Sequence, residues 1–362
     1  MEKSKTIYNL QMMRFFAAAM VVLAHTELSQ YNTTTGNGFL GGFGVDIFFI
    51  ISGFIIPYVA YGGSKSEGSF RMSPVNFFMR RVIRIIPIYA IITALCVLSA
   101  YIVNHMSNPT AAISYWWPAS KIDLQWYIES ITFTHWHRPA ILSIGWTLQY
   151  EFLFYTCFSL FMAMKLSKIE YIDIAFVTII VIVNALTYHH VTNTIVKEYA
   201  LFIDVMSQPI MVEFALGMFM YRLYISGVML KKNIALVILV AFIPVFYICE
   251  SMWLTREMGG GWHRPLVYGF FAFYGVWAAL SLEGKIKAPR ILTFLGDASY
   301  SIYLMHGLTT AWVSYIFVAT GAIAYTNIIV YIVCYFIISC ALGALAHVYI
   351  EKPIAKILKR YI

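Results

Sequence analysis

The chain has 362 residues, 60% hydrophobic and 12% charged, with a mean hydropathy of +0.74. Soluble domains carry about 25% charged residues, so a soluble enzyme is excluded and a polytopic helical membrane protein is implied. The net charge of +8 reads as basic loops that orient the chain in a bilayer, because no aromatic-interleaved basic patch points to nucleic acid.

The apolar runs are continuous, which excludes the alternating pattern of an outer-membrane barrel. Ten spans are predicted, roughly at 9–27, 43–61, 82–103, 145–164, 171–188, 205–223, 233–250, 265–283, 292–317 and 325–349. The expected fold is all-α, about ten transmembrane helices in a single domain over residues 1–362, with both termini cytoplasmic. On that topology nineteen basic residues fall inside and five outside, with Arg14 intramembrane, as the positive-inside rule requires. The opening MEKSK precedes an apolar segment with an arginine and no small-residue cleavage site, so it reads as a retained first helix. Cys96, Cys157, Cys249, Cys334 and Cys340 lie in or near apolar runs without CxxC spacing. They read as packing residues, and no metal is expected.

The first span holds Arg14 and His25. Eleven steps of about 100° return to within about 20° of the start, so both occupy one helix face, about 16 Å apart along the axis. Either residue alone reads as structural; the shared face points to a site. In the second span Gly41, Gly42 and Gly44 allow close backbone approach. Asp46 either orients His25 or caps the helix after the glycine turn. Arg80, Arg81 and Arg84 open the third span and read as inside-positive anchors or as a phosphate-binding fork.

Residues 104–144 form the longest predicted connection and contain Trp116, Trp117, Trp126, Trp136, His135 and His137. Anchoring at the membrane interface is favoured over sugar stacking. The fourth span opens WTLQYE, placing Glu151 among apolar residues beside Trp146 and Tyr150. An intramembrane glutamate is a candidate acid or base. Glu213 and Asp204 near the sixth span are less well framed. In the ninth span Ser299, Tyr303 and His306 share a face, next to Asp297 and Tyr300. Ser299 and His306 stand two turns, about 10 Å, apart, which rules out an in-helix dyad. The stripe is either helix packing or substrate contact. The last span ends at YIEKP, where Pro353 is expected to stop the helix.

These residues carry a resemblance. Arg14 and His25, GGFGVDIFFIISGF at 41–54, RRVIR at 80–84, WTLQYE at 146–151, GDASYSIYLMH at 296–306 and YIEKP at 349–353 together resemble the membrane acyltransferase type 3 family. The similarity is greatest to its bacterial exopolysaccharide and nodulation-factor O-acetyltransferases. The resemblance implies transfer of an acetyl group from cytosolic acetyl-CoA, as co-substrate, to a hydroxyl of an exported or cell-envelope carbohydrate, lipid-linked or free. The setting implied is the bacterial cytoplasmic (inner) membrane. It implies essential roles for Arg14 and His25, and coenzyme contacts for the residues matching Arg80, Arg81 and Arg84. The fused hydrolase-like domain of some members is not expected after YIEKP.

On that basis His25 is the candidate general base, Asp46 or Glu151 its support, and Arg14 a stabiliser of the coenzyme or of developing negative charge. Trp146, Tyr150, Tyr300, Tyr303 and His306 are the candidate substrate contacts. The alternatives are a transporter or flippase for a lipid-linked glycan, whose paired interrupted spans are not seen, and transfer of another acyl group such as succinyl. Oligomeric state is left open by the sequence.

Overall fold

Inside hydrocarbon every backbone N–H and C=O needs an internal partner, and helices supply one within each segment. Every regular element among the described residues is helical. The computed structural model describes residues 6–26, 38–62, 69–105, 121–135, 138–190, 205, 207–251, 262 and 264–361. In order the helices are α1 (Tyr8–Ala24), α2 (Gly38–Ala60), α3 (Pro74–Asn104), α4 (Leu124–Thr132), α5 (Gly145–Ala163), α6 (Ile169–His190) and α7 (Val212–Ile225). Then come α8 (Lys232–Ser251), α9 (Phe270–Ser281), α10 (Arg290–Asp297), α11 (Ser299–Ala319), α12 (Ile328–Ala346) and α13 (Lys352–Leu358). One π turn, Pro265–Gly269, leads into α9 and another, His347–Glu351, leads out of α12.

Gly42–Ala60, Pro74–Val103, Ser299–Ala319 and Ile328–Tyr361 are long and apolar enough to cross a membrane, and Tyr8–Ala24, Lys232–Phe242 and Pro265–Ser281 are shorter apolar helices. Three expectations change. The third helix starts at Pro74, ahead of the predicted 82, because the arginines are good helix formers and the start is well signalled: Pro74 opens the first turn and the Ser73 hydroxyl accepts from the Asn76 N–H at 3.2 Å. The predicted ninth span divides at Ala298 into α10 and α11. Pro353 does not stop the last helix; the π turn carries the chain into α13, with Pro353 in its first turn where a missing N–H costs nothing.

The chain divides into two compact units, residues 1–14, 45–78 and 150–296 in one, and 15–44, 79–149 and 297–362 in the other. In the first, Phe214 of α7 stacks on Phe49 of α2 at 4.6 Å and on Phe154 of α5 at 4.4 Å. Gly53 and Gly217 bring α2 and α7 into backbone contact: a Cβ on Gly53 would stand 2.1 Å from the Phe214 carbonyl oxygen. The Glu283 carboxylate accepts the N–H groups of Tyr8 and Asn9 at 3.1 and 2.8 Å. It thereby caps α1, whose first-turn donors have no partner in their own helix.

In the second unit α11 and α12 pack closely, since a Cβ on Gly343 would lie 2.5 Å from the Ile302 Cα. Asp123 caps α4 by accepting from the Trp126 N–H at 2.6 Å, and Phe133 ends it in the left-handed conformation at φ 60°. Trp126 is not an interfacial anchor: it is 4% exposed, donates Nε1–H to the Pro139 carbonyl at 2.8 Å and lies under the Arg138 guanidinium at 5.0 Å. His135 is also buried, and burial holds its imidazole below the usual value, favouring the neutral ring. Trp116, Trp117, Trp136, His137 and Asp204 lie outside the described residues.

Candidate active site

His25 follows the last residue of α1, and its ring is fixed by that helix. The Nδ1 atom lies 2.8 Å from the Val21 carbonyl. A carbonyl only accepts, so Nδ1 carries the hydrogen and the Nε2 lone pair is left available. A carbonyl, not a carboxylate, therefore makes the orienting contact at Nδ1. The turn that supplies it is set by α2: a Cβ on Gly44 would stand 2.5 Å from the Ala17 oxygen and 2.9 Å from the Val21 side chain. The glycine motif thus has a packing reason within this unit.

The His25 ring is exposed and faces the ring of His306 on α11, centroids 4.8 Å apart and tilted by 55°. His306 is 1% exposed and repeats the device, its Nδ1 bonded to the Tyr303 carbonyl. The Tyr303 hydroxyl meets Thr147 Oγ1 of α5 at 2.8 Å. Thr310, one turn beyond His306, donates to the His306 carbonyl at 2.9 Å and meets the Tyr335 hydroxyl of α12 at 2.7 Å; its Oγ1 is also 3.4 Å from the His25 carbonyl oxygen. Two imidazoles, each with Nδ1 committed, therefore sit in contact within a frame of hydroxyls. Thr147, Thr310 and Tyr335 escaped the sequence reading, since hydroxyls in apolar helices usually serve packing.

At the other end of α11, Tyr300 donates to the Ile85 carbonyl of α3 at 3.1 Å, the residue after Arg84. Arg81 is buried, whereas Arg80 and Arg84 are half-buried, as one helix face shared at four-residue spacing requires. Ser301 donates to Glu351 at 2.6 Å and His347 Nδ1 stands 2.7 Å from the same oxygen. The His347–Glu351 spacing of four residues was a signal available in the sequence. Trp146 is exposed at the start of α5.

The remaining candidates belong to the first unit. Arg14 donates to the Gln11 side chain at 2.9 Å. Asp46, fully buried, accepts from Arg264 Nε at 2.9 Å and Nη2 at 3.3 Å. Glu213, also fully buried, lies within electrostatic reach of both. Arg264 escaped the sequence reading as the partner of Asp46. Glu151 accepts from Ser52 of α2 at 2.8 Å and from the Tyr155 hydroxyl. Tyr150 lies edge-on to Phe49 at 6.3 Å. Among the described residues, no three His, Cys, Asp or Glu side chains group as metal ligands.

The acyltransferase domain matches residues 7–348. The exopolysaccharide production protein ExoZ of Rhizobium meliloti (strain 1021) is 26% identical over 333 residues, which cover 89% of this chain and 92% of that protein. The O-acetyltransferase OatA of Staphylococcus aureus (strain NCTC 8325 / PS 47) is 23% identical over 373 aligned positions. That alignment takes in 95% of this chain and 56% of OatA. No solved structure matches the chain. With nearly its whole length covered by the domain, the chain belongs to the acyltransferase type 3 family.

Proposed function

We propose that this acyltransferase is a multi-pass protein of a bacterial cytoplasmic membrane that moves an acetyl group from cytosolic acetyl-CoA to a hydroxyl of an exported or cell-envelope carbohydrate. The observation that carries the reading is the role of α11 in the second unit. It presents His306 to His25, and six residues earlier, about 9 Å along the axis, its Tyr300 is bonded to the Ile85 carbonyl in the segment of α3 that bears Arg84. Arg80 and Arg84 bind the phosphates of the coenzyme. The relatives, an exopolysaccharide production protein and an O-acetyltransferase, support acetyl as the group and carbohydrate as the acceptor.

In the reaction the acceptor oxygen attacks the thioester carbonyl carbon, and the Nε2 lone pair of His25 takes the hydroxyl proton. The carbon–sulfur bond breaks, and the imidazolium returns that proton to the departing thiolate. His306 and Tyr303 align the acceptor beside His25, with Trp146 and Tyr300 as further contacts.

The test is an assay of the purified protein with radiolabelled acetyl-CoA and candidate lipid-linked glycans. A positioned base contributes about 10²–10⁴-fold, so His25→Ala is expected to lose label transfer by that factor while remaining in the membrane. Full activity in the variant would refute the reading. Arg80→Ala combined with Arg84→Ala is expected to raise the KM for acetyl-CoA more than it lowers kcat.

A further inference from the structure

We infer that the site is built for a hydroxyl with a second hydroxyl on the adjacent carbon: the His25 lone pair serves the oxygen to be acetylated, and the His306 lone pair accepts a hydrogen bond from its neighbour. The inference rests on the reading of His25 as the base of acetyl transfer, and it names the feature of the acceptor that His306 selects.

The two rings present the same chemistry. Nδ1 of each is held by a backbone carbonyl, that of Val21 for His25 and that of Tyr303 for His306. A carbonyl only accepts, so both Nδ1 atoms carry hydrogen and both Nε2 atoms offer a lone pair. Among the described residues neither Nε2 atom has a hydrogen-bond partner. The ring centroids are 4.8 Å apart, and two acceptors cannot satisfy one another. His306 is 1% exposed, and an enclosed acceptor without a donor is costly. The pair therefore calls for two donors at once.

A lone alcohol does not supply them. One hydroxyl has one hydrogen, and once His25 takes it nothing is left for His306. Two hydroxyls on adjacent carbons carry two hydrogens on oxygens that lie side by side. Each hydrogen bond spans about 2.8 Å, so one edge of a sugar ring serves both imidazoles. During transfer only the hydroxyl bonded to His25 loses its proton; its neighbour keeps its own and stays bonded to His306 Nε2.

The frame fixes the second lone pair. Tyr303, whose carbonyl holds the His306 ring, is itself tied through its hydroxyl to Thr147 Oγ1 at 2.8 Å. Thr310 Oγ1 lies 2.9 Å from the His306 carbonyl oxygen, 3.4 Å from that of His25 and 2.7 Å from the Tyr335 hydroxyl. One threonine thus spaces the backbones of both histidines. A site preorganised in this way rejects an analogue that lacks the matching hydroxyl, because the analogue leaves the site's polar group unpaired.

The experiment measures kcat/KM for transfer of radiolabelled acetyl from acetyl-CoA to methyl glucoside, methyl galactoside and methyl mannoside, each beside its monodeoxy analogues, in wild type and His306→Phe. The position of the acetyl group is read by NMR. Wild type is expected to prefer the intact glycoside about 10²-fold or more over the analogue without the hydroxyl next to the acetylated one, and less than about threefold over analogues lacking a distant hydroxyl. His306→Phe keeps a flat ring and removes the lone pair, so the preference should fall to within about threefold of unity whatever the overall rate. A relay or a purely structural His306 would lower transfer to both acceptors by one factor. That outcome overturns the inference, as does a preference that survives the substitution or is absent from wild type; each leaves acetyl transfer by His25 intact. No transfer to any glycoside by wild type, or full transfer by His25→Ala, would overturn the acetyl-transfer reading and the inference with it. Should His306→Phe fail to fold, His306→Met, which also lacks the ring nitrogens, takes its place with the same expectations.

Discussion

Arg264 and Asp46 meet where water screens little: the aspartate is fully buried and the arginine side chain is 22% exposed. Their attraction offsets the desolvation of both, but removing one partner leaves an uncompensated charge, which typically costs about 3–5 kcal/mol. Arg264→Met is therefore expected to lower the melting temperature of the purified protein sharply, and melting at the wild-type temperature would show that the pair does not hold the unit. Asp123, at the surface, behaves differently. The Arg138 fork, at 3.1 Å on both oxygens, and the Trp126 N–H hold its carboxyl below the ordinary 3.8. A folded value below the unfolded one means stabilisation that is present above about pH 4 and lost as pH falls through the depressed value. The protection factor of the Trp126 amide in hydrogen exchange should be level from pH 7 to about pH 4 and drop below it. Asp123→Asn should abolish that drop, and a drop that persists in the variant would assign it to another group.

Helices approach closely here wherever glycine removes the side chain. A Cβ on Gly53 would stand 2.1 Å from the Phe214 oxygen, and one on Gly217 2.3 Å from the Ile50 oxygen. Backbone meets backbone at both, so no flexible side chain can yield, and small residues at membrane helix contacts serve this purpose. Gly53→Ala is expected to cost about 1–3 kcal/mol or more, visible as a lowered melting temperature. Gly321 supplies the contrast. It turns the chain after α11 at φ +68° with open space around it, so Gly321→Ala meets only the left-handed backbone penalty, about 1–2 kcal/mol. A loss at Gly53 below about 1 kcal/mol would remove the packing argument. The π turns are the other device of this scale: each re-aims the chain by part of a turn, one beside Arg264 and one at Glu351.

The whole molecule is expected to cross the bilayer ten times. Helix α3 has 31 residues, about 46 Å of rise, longer than the roughly 30 Å hydrocarbon core. Its arginine-bearing first turns therefore have length to spare outside hydrocarbon. The charge bias predicts that a reporter fused after Asn32 lies outside and one after Lys231 inside. An inside signal at Asn32 would overturn the ten-span topology.

The sequence alone established the class, since so few charges in so many apolar runs leave only membrane helices, and the order of its motifs indicated the family. It also marked His25, Asp46, Arg84, Glu151 and His306, because a polar group in an apolar run is conspicuous wherever the helix packs. It did not reveal their partners. Asp46 and Arg264 are 218 residues apart, and Thr310 reaches the His25 carbonyl across 285. Periodicity reports which face of a helix a residue occupies, but only packing decides which other helix that face meets, and the partner sets the tautomer, the charge balance and the chemistry.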